Sequence, residues 1–570
     1  MRTNFRTRIR IVSLAIVVFA LVLVLRLYFI QVIHGEGFAI EADRQYQNPG
    51  AQIFDRGTIF FETKDAKKVS AATLKTGFIL AIDPSSIKDI ETTYNAINEI
   101  YPLDRASFFF KAGKVDDPYE EVGKRLDEEI AKEIESLGMP GVKIFKERWR
   151  FYPGGELSAH TVGFIGWNDN NKISGLYGIE RYYDNVLVRN DGNIYVNFFA
   201  EIFLNVKQAI SKSKIEKEGD ILLSVEPTVQ MLLEDKIEET AEKWGAKEVA
   251  GIIMDPTNGE INAMAVYPSY DLNNFKEVEN SDIFGNPLVE DVYEMGSIIK
   301  PLTMAAGIDA GAVSAKTTYN DKGYLLIDGA RISNFDKKGR GVVSMQEVLN
   351  QSLNTGVAFV MRQMGKERFA DYMLAYGLGE ETGIDLPNET RGLVENLESP
   401  REVEYATASF GQGIALTPIS TIRALASLGN GGQLVTPHLV KKINYKTGFS
   451  SSLYKNENKQ ILKKETAEEI TRMLVNVVDT ALLSGQYKMD RYSIAAKTGT
   501  AEIADTENGG YYEDRFLHSF FGYFPAYNPR FIIFIYALEP HARYASETLT
   551  PPFMDMTKFL INYYGLTPDR

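Results

Sequence analysis

The sequence predicts an α+β protein in three parts: a single transmembrane helix, an elongated mixed α/β pedestal, and a globular domain whose sheet is assembled from both ends of its own stretch of chain. Three observations carry this reading. An apolar run, Ile11–Ile30, opens the chain, and from about residue 34 to 217 short β-like runs alternate with polar connections. Beyond residue 218, helix-patterned sequence is enclosed by a hairpin early and three short strands late, the order expected when one antiparallel sheet gathers strands from both ends.

The anchor comes first. Arg2, Arg6, Arg8 and Arg10 precede Ile11–Ile30, which is apolar except for Ser13 and Arg26. About 20 such residues cross a bilayer, and Arg26 lies near the far end, where a long side chain snorkels to the headgroups. A cleaved signal peptide would have an apolar core of only ~7–15 residues ending in small side chains, whereas Tyr28, Phe29 and Ile30 close this one. The arginines on the near side, with the first acid at Glu36, orient the amino terminus inward. Residues 1–10 are thus expected as a cytoplasmic tail, 11–33 as the anchor, and the rest outside the cytoplasm.

The pedestal, 34–217, is expected to hold strands at Phe78–Ile82, Val142–Phe145 and Ile194–Phe198, with Tyr119–Leu137 as one amphipathic helix rich in Glu and Lys. The polar run 211–219 reads as a joint, and Ile221–Val225 begins the domain 218–570. There, Thr228–Trp244 is a helix with Leu232, Leu233, Ile237 and Ala241 on one face. Val249–Met254 and Glu260–Val266 form a hairpin around Asp255-Pro-Thr-Asn-Gly259. Helices are expected at 297–310, 344–364, 367–375, 418–428 and 465–482, and strands at Ser493–Lys497, Ser519–Pro525 and Phe531–Ala537.

Bulk composition narrows the function. A chain of 570 residues with 44% apolar and 24% charged side chains is globular and holds two or three domains. Cysteine is absent, which removes disulfides and thiolate catalysis, and no Gly-rich phosphate loop precedes a Lys-Ser/Thr pair. A net charge of −14 argues against nucleic acid as a partner.

Three short elements carry the candidate chemistry. Ser297-Ile-Ile-Lys300 is followed by Pro301, and proline is tolerated in a helix only in its first turn. The helix therefore begins close to Ser297, whose backbone N–H groups favour developing negative charge, and Lys300 lies one turn on along the same face. The spacing alone is common: Ser85/Lys88, Ser211/Lys214 and Ser452/Lys455 share it, in a turn, a charged joint and a polar loop. An N-cap serine beside a surface lysine fits the quartet equally well. Ser352-Leu-Asn354 is the chain's single Ser-x-Asn; its two polar side chains share a cleft if the segment turns tightly, or cap a helix from Thr355. Lys497-Thr-Gly-Thr500 follows an apolar strand, unlike the Lys-Thr-Gly copies at 75–77 and 446–448. Gly499 inside that strand marks a close backbone approach, and a lysine with two hydroxyls suits a carboxylate.

Together, in this order, these elements resemble those of the penicillin-binding protein transpeptidases, specifically class B. The resemblance extends through Arg56-Gly-Thr-Ile59, Arg150-Phe-Tyr-Pro-Gly-Gly155 with His160 and Gly163, and Gly178-Ile-Glu180 with Tyr183 and Leu187. Ser409-Phe-Gly-Gln-Gly413, Leu416-Thr-Pro418 and His518 with Phe521-Gly522 extend it further. Met295 stands where proline is common, and Phe61-Glu62 replaces an Asp-Arg pair. The first could shift a loop at the cleft; the second touches only the pedestal.

The resemblance implies a transpeptidase domain with an antiparallel sheet, helices on both sides and a helical subdomain. It implies that Ser297 attacks a D-Ala-D-Ala stem peptide on a lipid-linked glycan strand, forming an acyl-enzyme that an amine from a second stem resolves, and that β-lactams trap the serine. None of the five histidines lies near the motifs in sequence, so Lys300 is the candidate base; burial and the charge of Lys497 favour its neutral form. Ser352 would relay protons, Asn354 would hold the peptide backbone, and Lys497, Thr498 and Thr500, grouped around Gly499, would bind the terminal carboxylate. The N–H groups of Ser297 and Thr500 would form an oxyanion hole. Neither metal nor organic cofactor is needed, and a polytopic membrane glycosyltransferase is the implied partner. A D,D-carboxypeptidase or β-lactamase-like hydrolase shares the motifs but usually lacks the amino-terminal region. A non-catalytic scaffold or β-lactam sensor is disfavoured by three intact motifs and by only ten residues before the span.

Overall fold

The computed structural model describes Phe19, Leu21 and residues 54–170, 172–189, 218–452, 458–505 and 509–570. Of the expected anchor only Phe19 and Leu21, both helical, fall among them. No described helix is long and apolar enough to cross a membrane. The strand expected at Ile194–Phe198, Ser211/Lys214, Lys455 and the joint up to residue 217 lie outside the described residues.

The chain divides into two compact units, one holding Lys75–Trp149 and the other Arg56–Leu74 with Arg150–Arg570. In the first, Phe78–Ile82 pairs antiparallel with Glu120–Leu126. Leu80, Ile82 and Leu126 pack on Tyr94, Ile97, Phe108 and Ile134 from three short helices. Tyr119–Leu137 is therefore not one helix: strand Glu120–Leu126 and helix Glu128–Ser136 meet at Asp127. Gly123, which weakens a helix interior by ~1 kcal/mol, lies so near the partner strand that a Cβ would sit 3.3 Å from that of Leu80. Glu128 and Glu129 then open the helix, where carboxylates favour its positive end.

In the second unit the amino-terminal motifs converge on one buried carboxylate. Glu180, 0% exposed, accepts from Arg56 Nε and Arg150 Nε, both at 2.6 Å, while Arg150 Nη1 donates to the Gly57 carbonyl at 2.7 Å. Burial alone would raise the Glu180 carboxyl, yet the charges of Arg150 and Arg56 hold it below the usual carboxylate value. Gly57 is required here: a Cβ would stand 2.2 Å from the Gly219 carbonyl.

This unit contains a five-stranded sheet: β1 (Glu248–Met254), β2 (Ile261–Tyr267), β3 (Ala495–Ala504), β4 (Tyr511–Phe524) and β5 (Phe531–Leu538). Their order is β3-β4-β5-β1-β2, antiparallel throughout. Side-chain alternation gives the sheet two apolar faces. Val249, Ile253, Phe520 and Ile533 pack on α1 (Pro227–Trp244) and a carboxy-terminal helix, Thr550–Tyr564. Ala250, Ile252, Phe521 and Phe534 belong to the larger core, which contains α2 (Lys300–Asp309) and α3 (Asn354–Met364). The late strands are longer than expected because β3 and β4 continue past the core as a hairpin.

Two helices differ instructively from expectation. The first begins as a tight 3₁₀ turn, Gly296–Ile299, and becomes α2 only at Lys300, with Pro301 in its first turn. The expected helix 344–364 splits into Met345–Asn350 and α3, because Ser352 adopts φ +55°. That left-handed conformation interrupts a helix and is uncommon for a residue other than glycine.

Candidate active site

Ser297 sits on the 3₁₀ turn, and the sequence on both sides explains how it is held. Gly296, at φ +63°, presses on β3: a Cβ there would lie 3.0 Å from Ala501 Cβ and 3.3 Å from the Thr500 carbonyl. Its N–H donates to the Gly411 carbonyl at 3.0 Å, which explains the Ser409–Gly413 motif: Gly411 allows that loop to lie on the turn that carries Ser297. Met295, in place of the usual proline, is buried, and its carbonyl accepts the Ser519 hydroxyl at 2.9 Å. The close approach expected at Gly499 comes from this same turn, since a Cβ would stand 2.3 Å from Ser519 Oγ and 2.9 Å from the Met295 carbonyl.

Lys300, on the first turn of α2, is only 1% exposed. Its amine donates to the Ser352 carbonyl at 2.5 Å and to Ser352 Oγ at 3.1 Å. The left-handed turn at Ser352 presents both oxygens to one amine. Asn354, at the start of α3, donates its amide N–H to the Ser333 carbonyl at 3.0 Å. Next to it, the Thr355 hydroxyl donates to the buried Asp321 at 2.8 Å, and Asp321 also accepts from Asn334 and the Arg340 backbone. The Ser-x-Asn turn and the hairpin segment 331–340 are thereby fastened together.

Lys497, 4% exposed on β3, donates to the Thr498 carbonyl at 2.9 Å. Burial lowers its pKa to about 8. Burial, and secondly the charge of Lys497, hold the Lys300 amine well below the ordinary lysine value. Both amines are thereby pushed toward the neutral form, Lys300 by burial and by its like-charged neighbour, Lys497 by burial.

One cavity of about 640 Å³ is lined by Ser297, Lys300, Ser352, Asn354, Thr498 and Thr500. The Thr500 hydroxyl accepts the Ala545 N–H at 3.2 Å, which leaves its own proton free for a ligand. Lys497 and Gly499 do not line the cavity; they stand behind it, the lysine as a charge and the glycine as a point of contact. Among the described residues no cluster of His, Asp and Glu could hold a metal ion. Ser85 instead donates to Asp83 in a turn at 2.6 Å. The other Lys-Thr-Gly copies lie in strand Lys68–Ile82 and in the turn after Val440–Tyr445.

Several lining residues are not apparent from the three motifs. Arg331, Phe335, Asp336, Lys337 and Arg340 come from the hairpin segment, Phe410 and Gln412 from the Ser409–Gly413 loop, and Tyr544–Ser546 from the turn after β5. Glu502 could have been found by counting two residues on from Thr500, because a strand returns to the same side every second residue.

Comparison with known proteins identifies the family. The family model for the penicillin binding protein transpeptidase domain matches residues 249–557, and that for the penicillin-binding protein dimerisation domain matches residues 55–213. Stage V sporulation protein D of Bacillus subtilis is 29% identical over 543 residues, spanning 94% of this chain and 82% of that protein. The peptidoglycan D,D-transpeptidase FtsI of Buchnera aphidicola is 27% identical over 574 residues, 98% and 96% of the two chains. The crystal structure of penicillin binding protein 3 from Mycobacterium tuberculosis superposes with a TM-score of 0.65 at 25% identity, covering 74% of this chain and 92% of that one. With its transpeptidase match spanning more than half its length, the chain belongs to the penicillin-binding proteins.

Proposed function

We propose that the chain is a peptidoglycan D,D-transpeptidase that cross-links stem peptides through an acyl-enzyme on Ser297. The single observation that supports this best is the meeting of a serine, a buried lysine amine and two strand hydroxyls in one cavity. Ser297 Oγ attacks the carbonyl carbon of the penultimate D-Ala, and its proton passes to the Lys300 amine. A positioned base of this kind contributes ~10²–10⁴ in rate. The backbone N–H groups of Ser297 and Thr500 receive the developing oxyanion, each worth about 3 kcal/mol. Ser352, hydrogen-bonded to Lys300, relays the proton to the departing D-Ala amine. Asn354 holds the donor backbone with its amide oxygen, Thr498 and Thr500 bind the terminal carboxylate, and Lys497 supplies a positive field behind them. A β-lactam carries the same carboxylate beside a strained amide and is captured by the same steps.

In this reading residues 1–10 are cytoplasmic, 11–33 anchor the chain in the cell membrane, 34–217 form a pedestal and 218–570 the catalytic domain. The apolar run after four arginines supports the anchor. Donor strands arrive from a polytopic membrane glycosyltransferase. The reading is tested by labelling the full chain with fluorescent penicillin. Ser297→Ala is expected to abolish covalent labelling, while Ser85→Ala, Ser211→Ala and Ser452→Ala retain it; labelling that survives Ser297→Ala would refute it.

A further inference from the structure

Six charged side chains line the cavity: Lys300, Arg331, Asp336, Lys337, Arg340 and Glu502. Part of that charge is already compensated, and Lys337 is a lining cation with no ion pair among the described residues. Burial, and secondly the charge of Lys497, hold the Lys300 amine well below the ordinary lysine value. Arg340 Nη1 and Nη2 reach Asp336 Oδ1 and Oδ2, both at 2.8 Å, and the Arg331 guanidinium lies 4.1 Å from the centre of the Tyr324 ring. Glu502 is then the one lining carboxylate that has no cation within ion-pair distance among the described residues.

Its placement is specific. Glu502 follows Thr500 by two residues on β3, so it stands about 7 Å farther along the same side of the strand. Next to it a second carboxyl, Glu294, takes the Gly413 N–H at 2.8 Å and the Tyr511 O–H at 3.1 Å through Oε1, while Oε2 is buried with no partner. Burial, and then the charge of Glu502, raise the Glu294 carboxyl. Among the described residues, the end of the cavity beyond Thr500 is therefore negative and without a counter-ion. A donor peptide, whose own carboxylate belongs at Thr498 and Thr500, gains nothing from such a wall. An incoming ammonium does.

We propose that Glu502 binds the acceptor, pairing with the ammonium of the second stem peptide beside the acyl-enzyme. The inference rests on the reading of Ser297 as the acylated nucleophile. The ammonium gives one proton to Glu502, and the nitrogen lone pair forms an amide bond to the acyl carbon. The bond from that carbon to Ser297 Oγ breaks, and the second nitrogen-borne proton returns through Lys300 to Ser297. Glu502 then releases its proton to water. Water as a competing acceptor carries no charge and is not favoured by the carboxylate, so Glu502 biases the acyl group toward cross-linking over hydrolysis.

The test uses the full chain, a benzoyl-D-alanyl thioester as donor, and two acceptors near neutral pH: a D-amino acid amide, which is cationic, and hydroxylamine, which is neutral. The readout is the ratio of aminolysis to hydrolysis products, which does not depend on the fraction of active enzyme. Glu502→Gln is expected to lower the ratio for the cationic acceptor about tenfold, the scale of a charge-assisted hydrogen bond, and to move the hydroxylamine ratio less than twofold. Glu502→Asp should restore most of the loss. A cationic-acceptor ratio within twofold of wild type, or an equal fall for both acceptors, overturns the proposal. Wild-type enzyme that forms no product of either kind overturns the Ser297 reading, and this proposal with it.

Discussion

Around Glu180, two guanidiniums close on one carboxylate; around Lys300, two amines are buried within each other's field with no carboxylate beside either among the described residues. Both sites exclude water to a similar degree, with Glu180 at 0% and Lys300 at 1% exposure. In the first, opposite charge outweighs burial and the carboxyl stays ionised. In the second, burial and like charge act together and push the amine well below the ordinary lysine value. The difference teaches that a buried charge with its counter-ion holds the fold, while one without it becomes a base.

The comparison can be broken in order of effect. Ser297→Ala should remove covalent penicillin labelling altogether. Lys300→Met should slow acylation by ~10²–10⁴ yet leave the midpoint of urea unfolding at neutral pH unchanged or higher, since an apolar side chain suits that burial better. Glu180→Gln should do the reverse. It leaves Arg150 without a carboxylate and Arg56 with Asp184 alone, costs about 3–5 kcal/mol of stability, and shows as an earlier unfolding midpoint, with the acylation rate of the folded fraction retained. Gly499→Ala drives a methyl group against Ser519 and the Met295 carbonyl. The nucleophile turn then shifts from β3 by a few tenths of an ångström or more, and acylation should fall about tenfold to a hundredfold, with near-normal stability.

At both sites stability rises with pH, but across different windows, because both folded values lie below the unfolded ones. Between the folded and unfolded pKa values of Lys300 the unfolded chain binds the extra proton, so stability rises with pH across that window. For Glu180 the folded value is the lowered one. Its contribution is complete above the ordinary carboxylate pKa and drains away as pH falls through the folded value. Lys497 adds a smaller effect: above about pH 8 it loses its charge, so acylation by carboxylate-bearing substrates should decline there. Lys497→Arg should move that decline upward.

Much of this was legible in the sequence because the chemistry sits on local geometry. Pro301 marks where α2 must start, Gly499 marks a close approach, and the apolar runs around residues 250, 263, 520 and 534 mark the sheet. What escaped depends on contacts made at a distance. Tyr119–Leu137 has a helical distribution of charge, but strand Phe78–Ile82 offers Glu120–Leu126 hydrogen bonds that a helix reading does not foresee. The break at Ser352 costs backbone strain that only Lys300, 52 residues away, makes worthwhile. The wall residues 331–340 carry no motif, and their place at the cavity rests on Asp321 and Thr355, which fasten them.

The protonation of Lys300 is tested most directly by the pH dependence of the second-order rate of acylation by penicillin. A neutral, buried Lys300 predicts a rising limb that is complete well below the ordinary lysine pKa of ~10.4, with a plateau across neutral pH. A rate that climbs tenfold per pH unit through pH 9 would mean that the amine is still protonated in the resting enzyme, and the base assignment would fail.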